Sequence, residues 1–406
     1  MECRGLRETE MAEMIALQCV IFRPDGHQRY TQYIRGDSSY TWEQTRIGLE
    51  DGRMISTLRI WDRQIRIGAR CVRMGGIGGV GTHPDFRGAG RASALVRDAN
   101  NYLQSAGYHI GMLFTEVPCR FYRRQGWASL PMTGFHIEIY HIDPPATNDW
   151  QITLFDETRD LEEAVTLYDT YNAQQSASIV RPRAHWDTMP ARFRDLLPTV
   201  VARRGNTLGG YLNYQISDAN AYILEIAYDR NDPTILAALV DHLLQDCTAK
   251  DVKHLYGELP HRHPLVESLV TATDGDLHLN GKDNAMIYAA NLPGLMQELL
   301  PELQQRLDDW GRDFTPIALR LALNEQECVL KLSSGNKLEI ATNGTDAVAL
   351  QISAAHFWRL LFGETGWSQL APTLEALGLK LPDDVSALLS VLFPTQEPIF
   401  WAPDHF

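Results

Sequence analysis

The sequence predicts an α/β fold over roughly its first 270 residues and an α+β arrangement after that, and three observations carry the prediction. A glycine-rich strand, Gly75 to Thr82, leads into a helix pattern from about Ala89 to Ala106 and then into the apolar strand Ile110 to Phe114. Strand, helix, strand in that order implies parallel pairing through a crossover. A similar order returns further along, where strands near 199–203, 208–215 and 222–228 precede a helix from Pro233 to Cys247. From about residue 280 the pattern changes to a long helix, LPGLMQELLPELQQRL, followed by strands at 317–324, 326–333 and 336–341.

Each element follows from its periodicity. Residues 9–20 place Met11, Met14, Ile15 and Leu17 on one helical face. Residues 54–61 and 65–74 read as two strands, with a polar turn at Asp62 to Gln64 between them. In the crossover helix Ala92, Leu95, Val96, Ala99, Leu103 and Ala106 recur mostly three and four apart, and Gly107 stops it. A short helical turn at Arg120 to Arg124 ends at Gly126. Pro144, Pro145 and Asn148 punctuate one boundary, and Thr273 to Asp283 a second. Leu161 to Gln174, 353–362 and 383–392 read as helices and Ala347 to Ile352 as a strand.

Composition narrows the function classes. Lys plus Arg number 37 against 51 Asp plus Glu, a net charge of −14 over 406 residues. Such a balance disfavours nucleic acid and anionic membranes as partners and suits a cationic one. The 6 cysteines are scattered without a CxxC pair, so neither a disulfide framework nor a metal site is expected. MECRGLRETEMAEM is charged throughout, and no apolar run approaches the ~20 residues of a membrane span, so a cytoplasmic setting without membrane insertion is expected.

The chemistry concentrates in GGVGTHPDFRGAGRASALVRDANNYLQSAG, residues 78–107. Gly88, Ala89 and Gly90 sit where a strand turns into a helix, and amides at a helix N-terminus make an anion site suited to a pyrophosphate. Arg87 and Arg91 add positive charge nearby. Neither a GxxxxGK[ST] phosphate loop nor a GxGxxG dinucleotide pattern is present.

This segment resembles the acyl-CoA signature of the GCN5-related N-acetyltransferase (GNAT) superfamily, in which Arg or Gln is followed at fixed spacing by Gly and then by Gly or Ala. Here those positions are Arg87, Gly90 and Ala92, with Pro84 ahead of them. The resemblance implies acetyl-CoA as co-substrate, no metal, a pantetheine arm along the backbone of Val80, Gly81 and Thr82, and a pyrophosphate held by Arg87, Gly88, Ala89, Gly90, Arg91 and Ala92. One departure is GGIGGVG, which stands where the family has a β-branched run. A second match is FTEVPCRFYRRQGW, in which Tyr122 precedes Gly126 and Trp127. The resemblance assigns Tyr122 as the acid that protonates the departing thiolate. The residues alone do not single out the group that takes the amine's proton: Glu116 and His83 are candidates, and Cys119 lacks partners for covalent catalysis.

In length and order of segments the chain resembles the Eis-type aminoglycoside and polyamine N-acetyltransferases. That resemblance implies tandem GNAT folds followed by a domain like sterol carrier protein 2, divided as 1–148, a degenerate 149–275 and 276–406. It also implies a homo-oligomer, a hexamer in the Eis type, and a C-terminal carboxylate, here that of Phe406, as the base. The Eis type usually has an acidic residue before that position, where His405 stands here. The expected reaction is acetyl transfer to a primary amine of a cationic small molecule or a lysine side chain.

Overall fold

The computed structural model describes residues 1–145, 148–188, 199–341 and 347–406. They form two compact units, each assembled from separate stretches of chain.

The first unit comprises Met1–Pro131, Asp283–Glu397 and Phe406. Its sheet contains β1 (Glu2–Gly5), β2 (Thr45–Glu50), β3 (Arg53–Ile67), β4 (Arg70–Thr82), β5 (Ile110–Phe114), β6 (Ala128–Ser129) and β15 (Ala285–Ala289), in the order β1-β2-β3-β4-β5-β15-β6. Strands β4 and β5 run parallel, as the crossover pattern predicts, and their other pairings are antiparallel. Successive side chains of a strand point to opposite faces, and one extra residue in β4 between Gly78 and Gly81 shifts that alternation, so Gly75 and Gly81 face opposite ways. A Cβ on Gly75 would meet Leu103 of α3 (Arg91–Ser105), whereas one on Gly81 would meet Ile21 of α1 (Met11–Ile21). Helix α3 therefore covers one face, and α1 with α2 (His27–Arg35) belongs to the other. The α3 side is closed by Leu58, Ile60, Ile77, Leu95, Val96 and Leu103, all buried.

Residues 292–397 continue the unit. The helix α9 (Leu292–Trp310) precedes the antiparallel strands β16 (Ile317–Leu323), β17 (Gln326–Ser333) and β18 (Lys337–Ala341), with the two-residue β19 (Val348–Ala349) parallel to β16. Helices α10 (Ala354–Phe362), α11 (Trp367–Ala376) and α12 (Asp383–Leu392) complete it.

The second unit comprises Met132–Lys282 and Pro398–His405. Its sheet order is β14-β7-β13-β12-β11-β10-β8, built from β7 (Met132–Glu138), β8 (Gln151–Leu154), β10 (Thr199–Arg204), β11 (Thr207–Ser217), β12 (Asn220–Tyr228), β13 (His254–Gly257) and β14 (Asp276–Lys282). Helices α5 (Glu157–Asn172), α7 (Pro233–Ala249) and α8 (Pro264–Thr273) pack on it, and the two-residue β9 (Ile179–Val180) and α6 (Arg183–Thr188) are short additions. The parallel pair β12 and β13 flanks α7 just as β4 and β5 flank α3, so the recurrence seen in sequence is a recurrence of topology.

Two expectations change. The turn read at Asp62 to Gln64 is absent: β3 pairs continuously with β4 through Asp62↔Gly75, Arg63↔Met74 and Gln64↔Arg73, and the chain reverses at Gly68–Ala69. The two units do not follow divisions at 148 and 275, because β7 joins the second sheet and β15 the first. In the second unit Arg181 is wholly buried between Glu225 and Asp404.

Candidate active site

The site begins where two paired strands part. The ladder between β4 and β5 runs from Met74↔Ile110 to Ile77↔Leu113 and stops there, while β4 continues to Thr82. On its other side β4 carries a bulge: Gly78 pairs with Arg59 and Gly81 with Thr57, so Gly79 and Val80 share the single residue opposite, Leu58. Gly79 takes φ +60°, a conformation that favours glycine. Beyond Ile77 the edge of β4 toward β5 is therefore free to pair with a bound molecule, and Val80, Gly81 and Thr82 lie along it.

The turn after β4 is rigidly organised. Arg87 Nε donates to the Thr82 carbonyl at 3.2 Å. Gly88 and Gly90 adopt φ +90° and +75°, with nothing within 4 Å of where a Cβ would stand. Arg91 spends its guanidinium on Glu50, at 2.6 and 2.7 Å, and on the Phe86 carbonyl at 3.0 Å. It thus braces the loop, leaving Arg87 as the more exposed cation. Helix α3 starts at Gly90 with no side-chain cap, whereas α5, α7 and α9 are capped by Asp156, Asp232 and Asn291. First-turn amides with no cap, the helix dipole and an open approach over Ala89 and Ala92 make an anion cradle.

Tyr122 lies in the short helix α4 (Arg120–Arg123). Its ring is buried edge-on to Phe121 at 4.8 Å and Trp127 at 6.3 Å. Its hydroxyl has no hydrogen-bond partner among the described residues, and burial pushes the phenol up to about 12. It therefore stays protonated through neutral pH, as a proton donor must. Of the other groups weighed in the sequence, Cys119 Sγ donates to the Asp283 carbonyl at 3.2 Å, His83 Nδ1 accepts from the Asp85 amide at 3.3 Å, and Glu116 is exposed.

Phe406 completes the constellation. A Cβ on Gly76 would stand 2.6–2.7 Å from its ring, and one on Gly78 would stand 3.0 Å from its main-chain carbonyl carbon. Its ring also tilts against Phe114 of β5 at 5.6 Å. The structure therefore seats Phe406 at the point where β4 and β5 diverge. Trp61, paired with Gly76 across the ladder, brings its Nε1 within 3.4 Å of the Gly78 Cβ position. The Arg59 guanidinium stacks on Trp61 at 3.6 Å and bonds Asp37 at 2.5 Å. The sequence reading missed Trp61, Arg59 and Asp37. The signal that pointed toward them was the unusual glycine run in β4.

Residues 2–130 match the family of acetyltransferase (GNAT) domains. The protein is an acetyltransferase of the GNAT fold. Solved structures resemble this acetyltransferase along its whole length. A GCN5-related N-acetyltransferase from Anabaena variabilis ATCC 29413 matches with TM-score 0.75 at 15% identity, covering 100% of both chains. A conserved protein of unknown function and probable N-acyltransferase from Enterococcus faecalis V583 gives TM-score 0.75 at 17% identity, covering 100% of this chain and 99% of the other. Eis1 from Mycobacterium abscessus gives TM-score 0.67 at 17% identity, covering 100% of both. No curated protein matches the acetyltransferase by sequence. Among its described residues no helix is long and apolar enough to cross a membrane, and no cluster of three or more His, Cys, Asp or Glu could hold a metal.

Proposed function

We propose that the protein transfers acetyl from acetyl-CoA to a primary amine of a cationic small molecule or a lysine side chain, by direct attack on the thioester. The observation that carries this reading is the position of Phe406 beside Gly78, where β4 leaves β5. Acetyl-CoA supplies the activated carbonyl. The uncapped start of α3 and the open space over Gly88 and Gly90 fit its pyrophosphate, and the free edge at Val80, Gly81 and Thr82 fits its pantetheine arm. Arg87, Ala89 and Ala92 border that cradle, and Arg91 holds its shape.

In this reading the Phe406 carboxylate accepts the proton that the amine loses as its nitrogen bonds the acetyl carbon. Tyr122 gives its phenolic proton to the sulfur as the carbon–sulfur bond breaks. The division of labour matches the environments: the phenol is buried and kept neutral, and the carboxylate lies beside Gly78 where β4 leaves β5.

The Eis-type assignment, with tandem GNAT folds and a carrier-like C-terminal segment, is supported by the repeated crossover topology and by likeness of fold over the full length. A cytoplasmic homo-oligomer, a hexamer by the same resemblance, belongs to this proposal, and light scattering reads its mass.

The test is thiol release from acetyl-CoA over a panel of polyamines, aminoglycosides and lysine peptides. Tyr122→Phe is expected to lower kcat by roughly 100-fold or more with little change in the KM for acetyl-CoA. One residue appended after Phe406 is expected to abolish most turnover. Full activity in the appended protein would overturn the base assignment, and an unchanged kcat in Tyr122→Phe would overturn the acid.

A further inference from the structure

Strand β4 carries five glycines between Gly75 and Gly81, a costly choice for a central strand because each forfeits side-chain packing and backbone order. Three of them have local reasons. Gly75 makes room for Leu103, Gly81 for Ile21 and Phe22, and Gly79 has φ +60°. Gly76 and Gly78 have none of these. A Cβ on Gly76 would meet only Phe406 among its three nearest atoms, and one on Gly78 would meet Phe406 and Trp61.

We propose that Gly76, Gly78 and Trp61 form a seat for Phe406 and act as positioning residues for its carboxylate, an inference that rests on reading that carboxylate as the proton acceptor. The ring is wedged between the bare backbone at Gly76 and the Phe114 ring, which fixes its direction. That orientation sets the main chain of Phe406 against Gly78, with the indole Nε1 of Trp61 alongside. The Trp61 indole stands as a wall on this side of the seat, and its N–H makes no hydrogen bond among the described residues, Phe406 included.

Charge behind the indole reinforces this. Arg59 stacks on Trp61 at 3.6 Å and approaches Tyr40 at 4.7 Å, and Arg63 approaches Trp61 at 5.3 Å. Arg59 and Arg63 share the single carboxylate of Asp37. The Nε and Nη1 of Arg59 are buried without hydrogen-bond partners. Two guanidinium groups against one carboxylate leave a surplus positive charge beside the seat, held over the Trp61 ring. The Phe406 carboxylate is the natural counter-charge.

The experiment crosses two substitutions. Gly76→Ala should displace the ring and lower kcat on the order of 10- to 100-fold, with acetyl-CoA affinity and melting temperature close to the parent's. Trimming the ring with Phe406→Leu in the same protein should restore most of that loss, a rescue that a merely structural glycine would not show. Trp61→Ala removes the wall beside the Phe406 main chain and should lower kcat on the order of 10-fold without moving the acid limb of the kcat profile. In a protein with one residue appended after Phe406, Gly76→Ala should cause no further loss. An unchanged kcat in Gly76→Ala, or a loss that Phe406→Leu does not relieve, overturns the seat while leaving the base assignment standing. An appended residue without effect removes that base assignment itself.

Discussion

His263 is buried at the start of α8, with both ring nitrogens committed. Nδ1 accepts from the Leu265 amide at 3.2 Å, so Nε2 carries the hydrogen and donates to the Tyr171 hydroxyl at 2.8 Å. Burial, with the Arg230 charge adding to it, lowers the ring from 6.5 to about 3. Across that interval the unfolded chain binds a proton that the folded one refuses, so stability falls as pH drops below 6.5, by up to roughly 1.4 kcal/mol per pH unit. Denaturant melts at pH 7 and pH 5 should show the loss, and His263→Asn, which can still cap the helix, should flatten it. Arg181 poses the opposite case: its guanidinium is fully buried and grips Asp404 at 2.8 Å and Glu225 at 2.5 and 3.0 Å, which holds it charged. Arg181→Met would strand two buried carboxylates and should cost about 3–5 kcal/mol in an unfolding titration. Single residues were legible in the sequence where their meaning is local. Arg87, Gly90 and Tyr122 each lie within one loop or turn, where a family resemblance can propose them, whereas the Phe406 seat joins positions some 330 residues apart and leaves no spacing to read.

Among the elements, α3 and α7 make an instructive pair. They occupy the same place in their sheets, but α7 begins behind Pro233 with the Asp232 carboxylate accepting the Thr234 amide at 3.1 Å. That carboxylate takes the position an incoming phosphate needs and repels it. An equilibrium titration should therefore find one acetyl-CoA bound per chain, and a second site of similar affinity would contradict this account. Gly90→Ala probes the functional helix: the space is open, but φ +75° makes the substitution cost about 1–2 kcal/mol and should raise the KM for acetyl-CoA. Most helices and strands were readable because their apolar periodicity is strong. The Asp62 to Gln64 stretch was not, since three polar residues in a strand mimic a turn when their cross-strand partners are unknown. Residues 21–53 gave no clear periodic signal, and α2 and β2 lie within them.

For the molecule as a whole, the exchange of strands matters most. β15 belongs between β5 and β6, its five residues all buried, and it pairs with β5 from Ala285↔Phe114 to Ala289↔Ile110. A fragment of residues 1–131 contains the whole stretch that matches the GNAT family but lacks this penultimate strand of the sheet. It should fail to fold cooperatively, which circular dichroism melts would reveal; a sharp transition would count against the strand's importance. No periodicity in the sequence announces such a topology, because a strand's pattern states that it is buried and not which sheet receives it. The same arrangement sets a timetable for the newborn chain. β15 leaves the ribosome about 155 residues after β6, a delay of roughly 10–30 s at ordinary rates of synthesis. Through that interval the edge of β5 waits unpaired and open to the wrong strand, so a chaperone that shields it would have its greatest effect while the second unit is still being made.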